Sequence, residues 1–277
     1  MVCDGWGPEN NFVKQLLYVY LVLRKIRYMK NEKRLLGATL FLLGLLGVFS
    51  ILTMELPIPE NARVILESRF SPMQIKMLML LNPTVMLLVF VLAGTALYDR
   101  VYLTVPLISG LIRKQDIKTQ AVGTVKYGVT GGILAGILLT GVGLVFMPYL
   151  PEEFKELGEK LQPSIAARFL YGGITEEILM HFGLMTLAVW IISKIFKSTA
   201  PAVYWAGIVF AAVLFGLGHF PVAYQAVGSP SPMLLTYILV GNGIGGIIFG
   251  WLYWKWGLES AFIAHIFAHV VMLVSGV

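Results

Sequence analysis

Seven stretches of this chain, each about 20 residues long and nearly free of charge, limit what it can fold into. They lie near 35–56, 77–98, 126–149, 168–194, 201–220, 232–254 and 258–276. A helix rising about 1.5 Å per residue needs about that length to cross the ~30 Å hydrocarbon core of a bilayer. Lipid offers no hydrogen bonds, so each run must satisfy its own backbone as a helix. The expected fold class is therefore all-α: a polytopic transmembrane helical bundle of seven or eight spans. The eighth candidate is 12–29, where Lys14 and a basic end suit an interfacial helix as well as a span. A shorter apolar stretch, 101–112, carries Pro106 and Gly110. It is too short to cross and is expected to lie at the interface or to re-enter.

Composition agrees with the membrane class. The chain is 57% hydrophobic and only 13% charged, with mean hydropathy +0.79. A soluble globular domain carries about 25% charged residues. The net charge of +6 does not point to nucleic acid, because the basic residues cluster between apolar runs, as cytoplasmic loops do. Cys3 is the only cysteine, so no internal disulfide can form. The polar start, Met1 to Asn11, lacks the order of a signal peptide, and the first span is expected to be retained. There is no internal repeat, no low-complexity linker and no soluble segment. The expectation is one membrane domain over 1–277, with its chemistry in 165–277, in a multi-pass protein of the cell membrane. Nothing in the sequence fixes an oligomeric state.

Loop charge suggests an orientation. Residues 24–34 hold Arg24, Lys25, Arg27, Lys30, Lys33 and Arg34, and 99–126 hold Arg100, Arg113, Lys114, Lys118 and Lys126. Both loops should be cytoplasmic. The 150–160 loop, with Glu152, Glu153, Glu156 and Glu159, alternates to the other side, which fits seven spans with the N-terminus inside. Small-residue pairs at Gly132/Gly136, Gly241/Gly245 and Gly246/Gly250 would let helix backbones approach closely.

The informative residues are polar ones placed where lipid should exclude them. From 161 to 277 the only acids are Glu176, Glu177 and Glu259, and the same segment holds every histidine: His181, His219, His265 and His269. An ionisable side chain at bilayer depth costs about 2.5–3.5 kcal/mol and usually faces a bundle interior or wet cavity. Glu176 and Glu177 are adjacent, so on a helix they point about 100° apart and cannot share one task. Glu177 and His181, at i and i+4, are expected to pair. Glu176 shares a stripe with Gly172, Gly173 and Met180, where the glycines leave room for water and a carboxylate could act as general base. His219 ends a span just before Pro221, with Phe215 one turn back. His265 and His269 project together from the last span with only Ala and Phe around them, so they need partners from elsewhere, and the nearest candidates are the carboxylates of the fourth span. Glu259 reads as a helix-start acid favouring its own helix dipole. Asn242 is expected to make an interhelical hydrogen bond, and Gln225 lies in the loop after His219.

Taken in order, these segments resemble the CAAX protease and bacteriocin-processing family of intramembrane proteases, which includes type II prenyl-protein endopeptidases. The family pattern is Glu-Glu-x-x-x-Arg, Phe-x-x-x-His and His-x-x-x-Asn. Here it reads Glu176-Glu177-x-x-x-His181, Phe215-x-x-x-His219 and His265-x-x-x-His269. The run from Gly250-Trp251 to Gly257-Leu258-Glu259-Ser260-Ala261 is also similar, and the likeness covers roughly 165–277. Two positions depart: His181 stands where the pattern has Arg, and His269 where it has Asn.

The resemblance implies an endopeptidase acting on a membrane-associated peptide or protein, prenylated in one branch of the family, with no cofactor. Glu176 with His219 would hold and deprotonate water. His265 and His269 would stabilise the oxyanion, and Glu177 with His181 would stand behind them. Prenyl endopeptidases would imply access from the cytoplasm, whereas the loop charges place the start of the fourth span outside. Three other readings compete. A zinc-dependent hydrolase could use His219, His265, His269 and Glu176, although His-Glu-x-x-His is absent. A transporter could use the same groups as a proton path. A family member without activity could only bind.

Overall fold

A computed structural model describes residues 9–54, 57–58 and 60–276 of the protein. Its elements are all helical, with no strand among the described residues. Among the described residues, seven helical segments are long and apolar enough to cross a membrane: Lys30–Thr53, Pro72–Val101, Lys118–Tyr149, Ala167–Phe196, Pro201–Val227, Pro232–Trp256 and Leu258–Ser275. Each contains or closely overlaps one of the apolar runs read from the sequence. The first belongs to a long helix α1 (Glu9–Ser50). The stretch 12–29 forms its first part, but the side chains that would decide between span and interfacial helix lie outside the described residues, Leu21 apart.

Two short helices follow, α2 (Glu60–Glu67) and α3 (Pro72–Met79). Ser71 and Gln74 form a reciprocal capping box at the start of α3, with Pro72 in the first turn, so its free N–H groups are met locally. The chain continues through α4 (Leu81–Leu97), α5 (Pro106–Ile112) and α6 (Lys118–Phe146). Then come α7 (Glu152–Lys160), α8 (Ala167–Phe196), α9 (Pro201–Gly218), α10 (Phe220–Val227), α11 (Pro232–Trp256) and α12 (Leu258–Ser275). Within 101–112 the chain forms α5, which folds back on the bundle and does not cross.

The seam that positions the chemistry lies between α6 and α12, the most extensive helix pair in the bundle. Gly128, Gly132 and Gly136 recur every four residues along α6 and are all buried. A Cβ at Gly132 would press on the Ala264 backbone and Phe267, and one at Gly136 on Val271 and the Ala268 carbonyl. In lipid such contact is driven by van der Waals packing, which only small residues permit at this distance. The seam therefore holds α12, and with it His265 and His269, against the bundle.

Helix α8 departs from the expected geometry. Residues Ala167–Glu176 and Ile178–Met185 are π-helical, and only Thr186–Phe196 is an α-helix. In a π-helix the backbone bonds i to i+5, and such turns concentrate at functional sites. Two hydroxyls reinforce the wider turn: Thr175 reaches the Leu170 carbonyl at 3.3 Å and Thr186 reaches that of His181 at 3.3 Å. Thr175 also bonds the Gly44 carbonyl of α1 at 2.7 Å, which ties the two helices together.

Glu259 does more than its position suggests. It lies in the first turn of α12, as expected, and its carboxylate also reaches a different helix. Oε1 accepts from the backbone N–H groups of Leu107 and Ile108 at 2.9 and 2.8 Å, at the start of α5. The side chain is 6% exposed.

Candidate active site

The two carboxylates of α8 have different surroundings. Glu177 is 1% exposed, and each of its oxygens meets an imidazole. Oε2 lies 2.6 Å from His181 Nδ1, and Oε1 lies 2.7 Å from His265 Nδ1. The i,i+4 pairing expected on an α-helix is therefore made across a π-helical turn. The opposite face of His181 is fixed too, with Nε2 3.0 Å from the Gly246 carbonyl. A carbonyl can only accept, so Nε2 carries a proton. One further proton must lie between His181 Nδ1 and Glu177, and another between His265 Nδ1 and Glu177. One buried carboxylate thus orients two rings from two helices.

Two rings stack on His265. Phe249 of α11 lies at 4.7 Å and 21°, and His269 at 5.0 Å and 24°. With Nδ1 engaged by Glu177, the reactive edge left to His265 is Nε2. A Cβ at Gly172 would come within 3.5 Å of that Nε2 and 3.0 Å of His269 Nε2. The glycine is therefore what lets the α8 backbone approach both ring nitrogens. His269 Nδ1 is buried and has no hydrogen-bond partner among the described residues.

Glu176 is half-buried and makes no hydrogen bond to another described residue. Its electrostatic neighbours are His219, His265 and Glu177. His219 follows directly on α9. Its Nδ1 donates to the Phe215 carbonyl at 2.8 Å, and the Phe215 ring meets it edge-on at 4.8 Å and 85°. That bond sets the tautomer and leaves Nε2 as the available nitrogen. Hydrogen bonds, ring stacking and electrostatic contact therefore link Glu176, Glu177, His181, His219, His265 and His269 into one cluster.

Other polar residues are elsewhere. Asn242 donates to the Ile238 carbonyl of its own helix at 2.9 Å, so the expected interhelical bond is not the one it makes. Gln225 is exposed on α10. Among the described residues no three His, Cys, Asp or Glu side chains are arranged to hold a metal ion, the donor set that the zinc reading requires. A groove of about 500 Å³ opens between the end of α1, α2 and α3, lined by Ile51, Met54, Arg63, Phe70 and Lys76. None of the six clustered residues lines it.

Two neighbours of the cluster escaped the sequence reading. Arg168 interacts with His269, and Tyr171 with Glu176. Arg168 carried a usable signal, since it is a lone cation in the first turn of an apolar span. Tyr171 carried none, because a tyrosine near the end of a span is ordinary.

Seven apolar helices around a buried carboxylate–histidine cluster define an integral membrane protein with an internal polar centre. Residues 159–271, which hold all six clustered side chains, match the family model of type II CAAX prenyl endopeptidase Rce1-like proteins. Over that segment the chain is similar to the Rce1-like family. The match supports an intramembrane protease of the CAAX type, and so a protein substrate in a membrane. No curated protein and no solved structure gives a significant match.

Proposed function

We propose that the protein is an intramembrane endopeptidase that hydrolyses a peptide bond of a membrane-associated polypeptide with water activated by Glu176. The observation that carries this reading is the unequal state of the two carboxylates. Both Glu177 oxygens are taken by imidazoles at 2.6 and 2.7 Å, which leaves Glu176 as the carboxylate free to accept a proton.

In the proposed reaction, water is held between Glu176 and His219 Nε2. Glu176 takes a proton as the water oxygen bonds to the scissile carbonyl carbon. The carbonyl oxygen becomes an oxyanion, and donors preorganised in a dry site stabilise it by several kcal/mol. His265 and His269 are the proposed donors. For His265 this requires a proton on Nε2 as well as on Nδ1. The C–N bond then breaks, and the departing amine receives the proton held by Glu176. Glu177 and His181 do not touch the substrate; they hold His265 in place.

The test is direct. Wild type and Glu176→Ala are purified in detergent and screened against lipidated and unlipidated membrane peptides. The expected result is cleavage by wild type alone, and the lipidated arm reports whether a prenyl group is required. Equal residual cleavage by both proteins removes Glu176 from the role of base.

A further inference from the structure

We propose that the groove between α1, α2 and α3 binds one membrane phospholipid whose phosphate is followed by a primary ammonium, a phosphatidylethanolamine. This site is independent of the protease reading, because it shares no residue with the carboxylate–histidine cluster.

The groove lies at headgroup depth. The crossing segment Lys30–Thr53 ends beside it, and the next, Pro72–Val101, begins there. Helix α2, which joins them, supplies the third wall. The ends of spans mark the boundary between hydrocarbon and headgroups. The outer faces of the two short helices fit that depth. Val64 and Ile65 on α2 and Met73 on α3 are apolar and 63%, 59% and 62% exposed. On a helix at the end of a span, such a face beds into the headgroup and acyl boundary.

Within the groove, polarity is graded. Ile51 and Ile75 are buried, and Met54 and Met79 are half-buried. They form its deep, apolar part. Among the described residues three charged side chains line it, Arg63, Glu67 and Lys76, and all three are exposed at its open edge. Helix geometry produces this division. Arg63 and Glu67, at i and i+4, share one face of α2. Ile75 and Met79 are also i and i+4, on α3, and Lys76 stands about 100° round that helix from Ile75. The groove volume of about 500 Å³ falls within the roughly 300–1,000 Å³ of small-molecule sites.

The charges define the occupant. None of the three makes an ion pair with another described residue, so two cations and one carboxylate stand unmatched beside an apolar cleft. An apolar floor with a charged edge suits an amphiphile. Two cations suit a phosphate: Arg63 offers a planar fork to its oxygens, and Lys76 a point charge. Glu67 would repel a headgroup that carried only negative charge. It suits one with a cation beyond the phosphate. A primary ammonium has three N–H donors for a carboxylate, whereas the quaternary ammonium of choline has no hydrogen to give. The acyl chains of the bound lipid would pass over Ile51, Ile75 and Met79 toward the bilayer core.

Native mass spectrometry tests the site. The full chain, purified in detergent, is titrated with an equal mixture of phosphatidylethanolamine and phosphatidylcholine of identical acyl chains. Wild type is expected to retain phosphatidylethanolamine as its first lipid at least fivefold over phosphatidylcholine. Glu67→Gln should still hold a phospholipid, with the ratio of the two within twofold of one. Arg63→Gln combined with Lys76→Gln should weaken retention of both lipids about 20-fold, since an interfacial Lys or Arg contributes about fivefold each in affinity for a headgroup. Equal retention of the two lipids by wild type overturns the proposal. So does a Glu67→Gln protein that keeps the preference, or a double variant that binds as wild type does, because the retained lipid then lies elsewhere on the bundle. The ratio is read within one sample, so a fall in the folded fraction does not imitate the expected result. Retention needs no catalysis, so a failure of the protease reading appears in the Glu176→Ala comparison and leaves the lipid ratios untouched.

Discussion

On the inner side of the site, Glu177 gives one oxygen to His181 and the other to His265, with 1% of its surface exposed. On the outer side, Glu176 is half-buried and reaches His219 and His265 only through space. The residues are adjacent in sequence, and their differences come from which helix each faces. A carboxylate whose oxygens both hold imidazoles fixes geometry and has little left to offer a reacting water. One that is close to imidazoles but unbonded can accept a proton. The contrast teaches that burial alone does not mark a chemical group in this bundle; an unfilled hydrogen-bonding position does.

The largest expected effect breaks the outer side alone. Glu176→Gln should lower peptide cleavage about 10²–10⁴-fold, the usual contribution of a positioned general base. Its thermal midpoint in detergent should stay close to wild type, because Glu176 makes no hydrogen bond that the amide would break. If the midpoint falls along with activity, Glu176 belongs to the structural side and the comparison fails.

Glu177→Ala should behave in the opposite sense. It leaves two buried imidazoles without their shared partner, a change that costs about 3–5 kcal/mol when one member of a buried pair is removed. Unfolding in denaturant should show that loss, and cleavage should fall as well because His265 loses the bond that orients it. A Glu177→Ala protein of wild-type stability would mean that the 2.6 and 2.7 Å contacts contribute nothing measurable. His219→Ala comes next. It removes one partner of the proposed water and should reduce cleavage on the order of 10²-fold, the cost of a misplaced reactant. Stability should change little, since His219 bonds only the Phe215 carbonyl of its own helix. Loss of folding in this variant would move His219 to the inner side of the comparison.

Much of this arrangement is legible in the sequence because it depends on local quantities. Apolar length is such a property, and it located all seven crossing helices. Gly132 and Gly136 announce a close helix contact, though not that α12 would fill it. Glu177 and His181 are close enough in the chain for spacing to suggest their pairing. The sequence points to the carboxylates of the fourth span as partners of His265 but does not single out Glu177, since that bond joins residues 88 apart through the packing of two helices. Nor does it reveal the π-helical winding of α8, which depends on hydroxyl contacts at Thr175 and Thr186 and on the fit against α1. Asn242 shows the same limit from the other direction. Its glycine-rich surroundings suggested a reach across helices, and instead the amide folds back to Ile238.

Glu259 gives the smallest expected effect and sharpens the contrast from outside the cluster. Read from sequence it is a helix-start acid whose removal should matter little to cleavage. In the structure it is nearly as sealed as Glu177, but the groups it serves are the Leu107 and Ile108 N–H donors of α5. The first N–H groups of a helix have no internal partner, so Glu259→Ala leaves two donors facing a buried space. Such orphaned groups cost about 1–3 kcal/mol, and the variant should unfold earlier by that amount. Glu259→Gln should recover most of the loss, since its amide oxygen can still accept from both donors. Cleavage per folded molecule should be unchanged in both variants, because no clustered residue bonds Glu259. A fall in specific activity with folding intact would instead mean that α5 transmits its position to α12 and the histidines it carries.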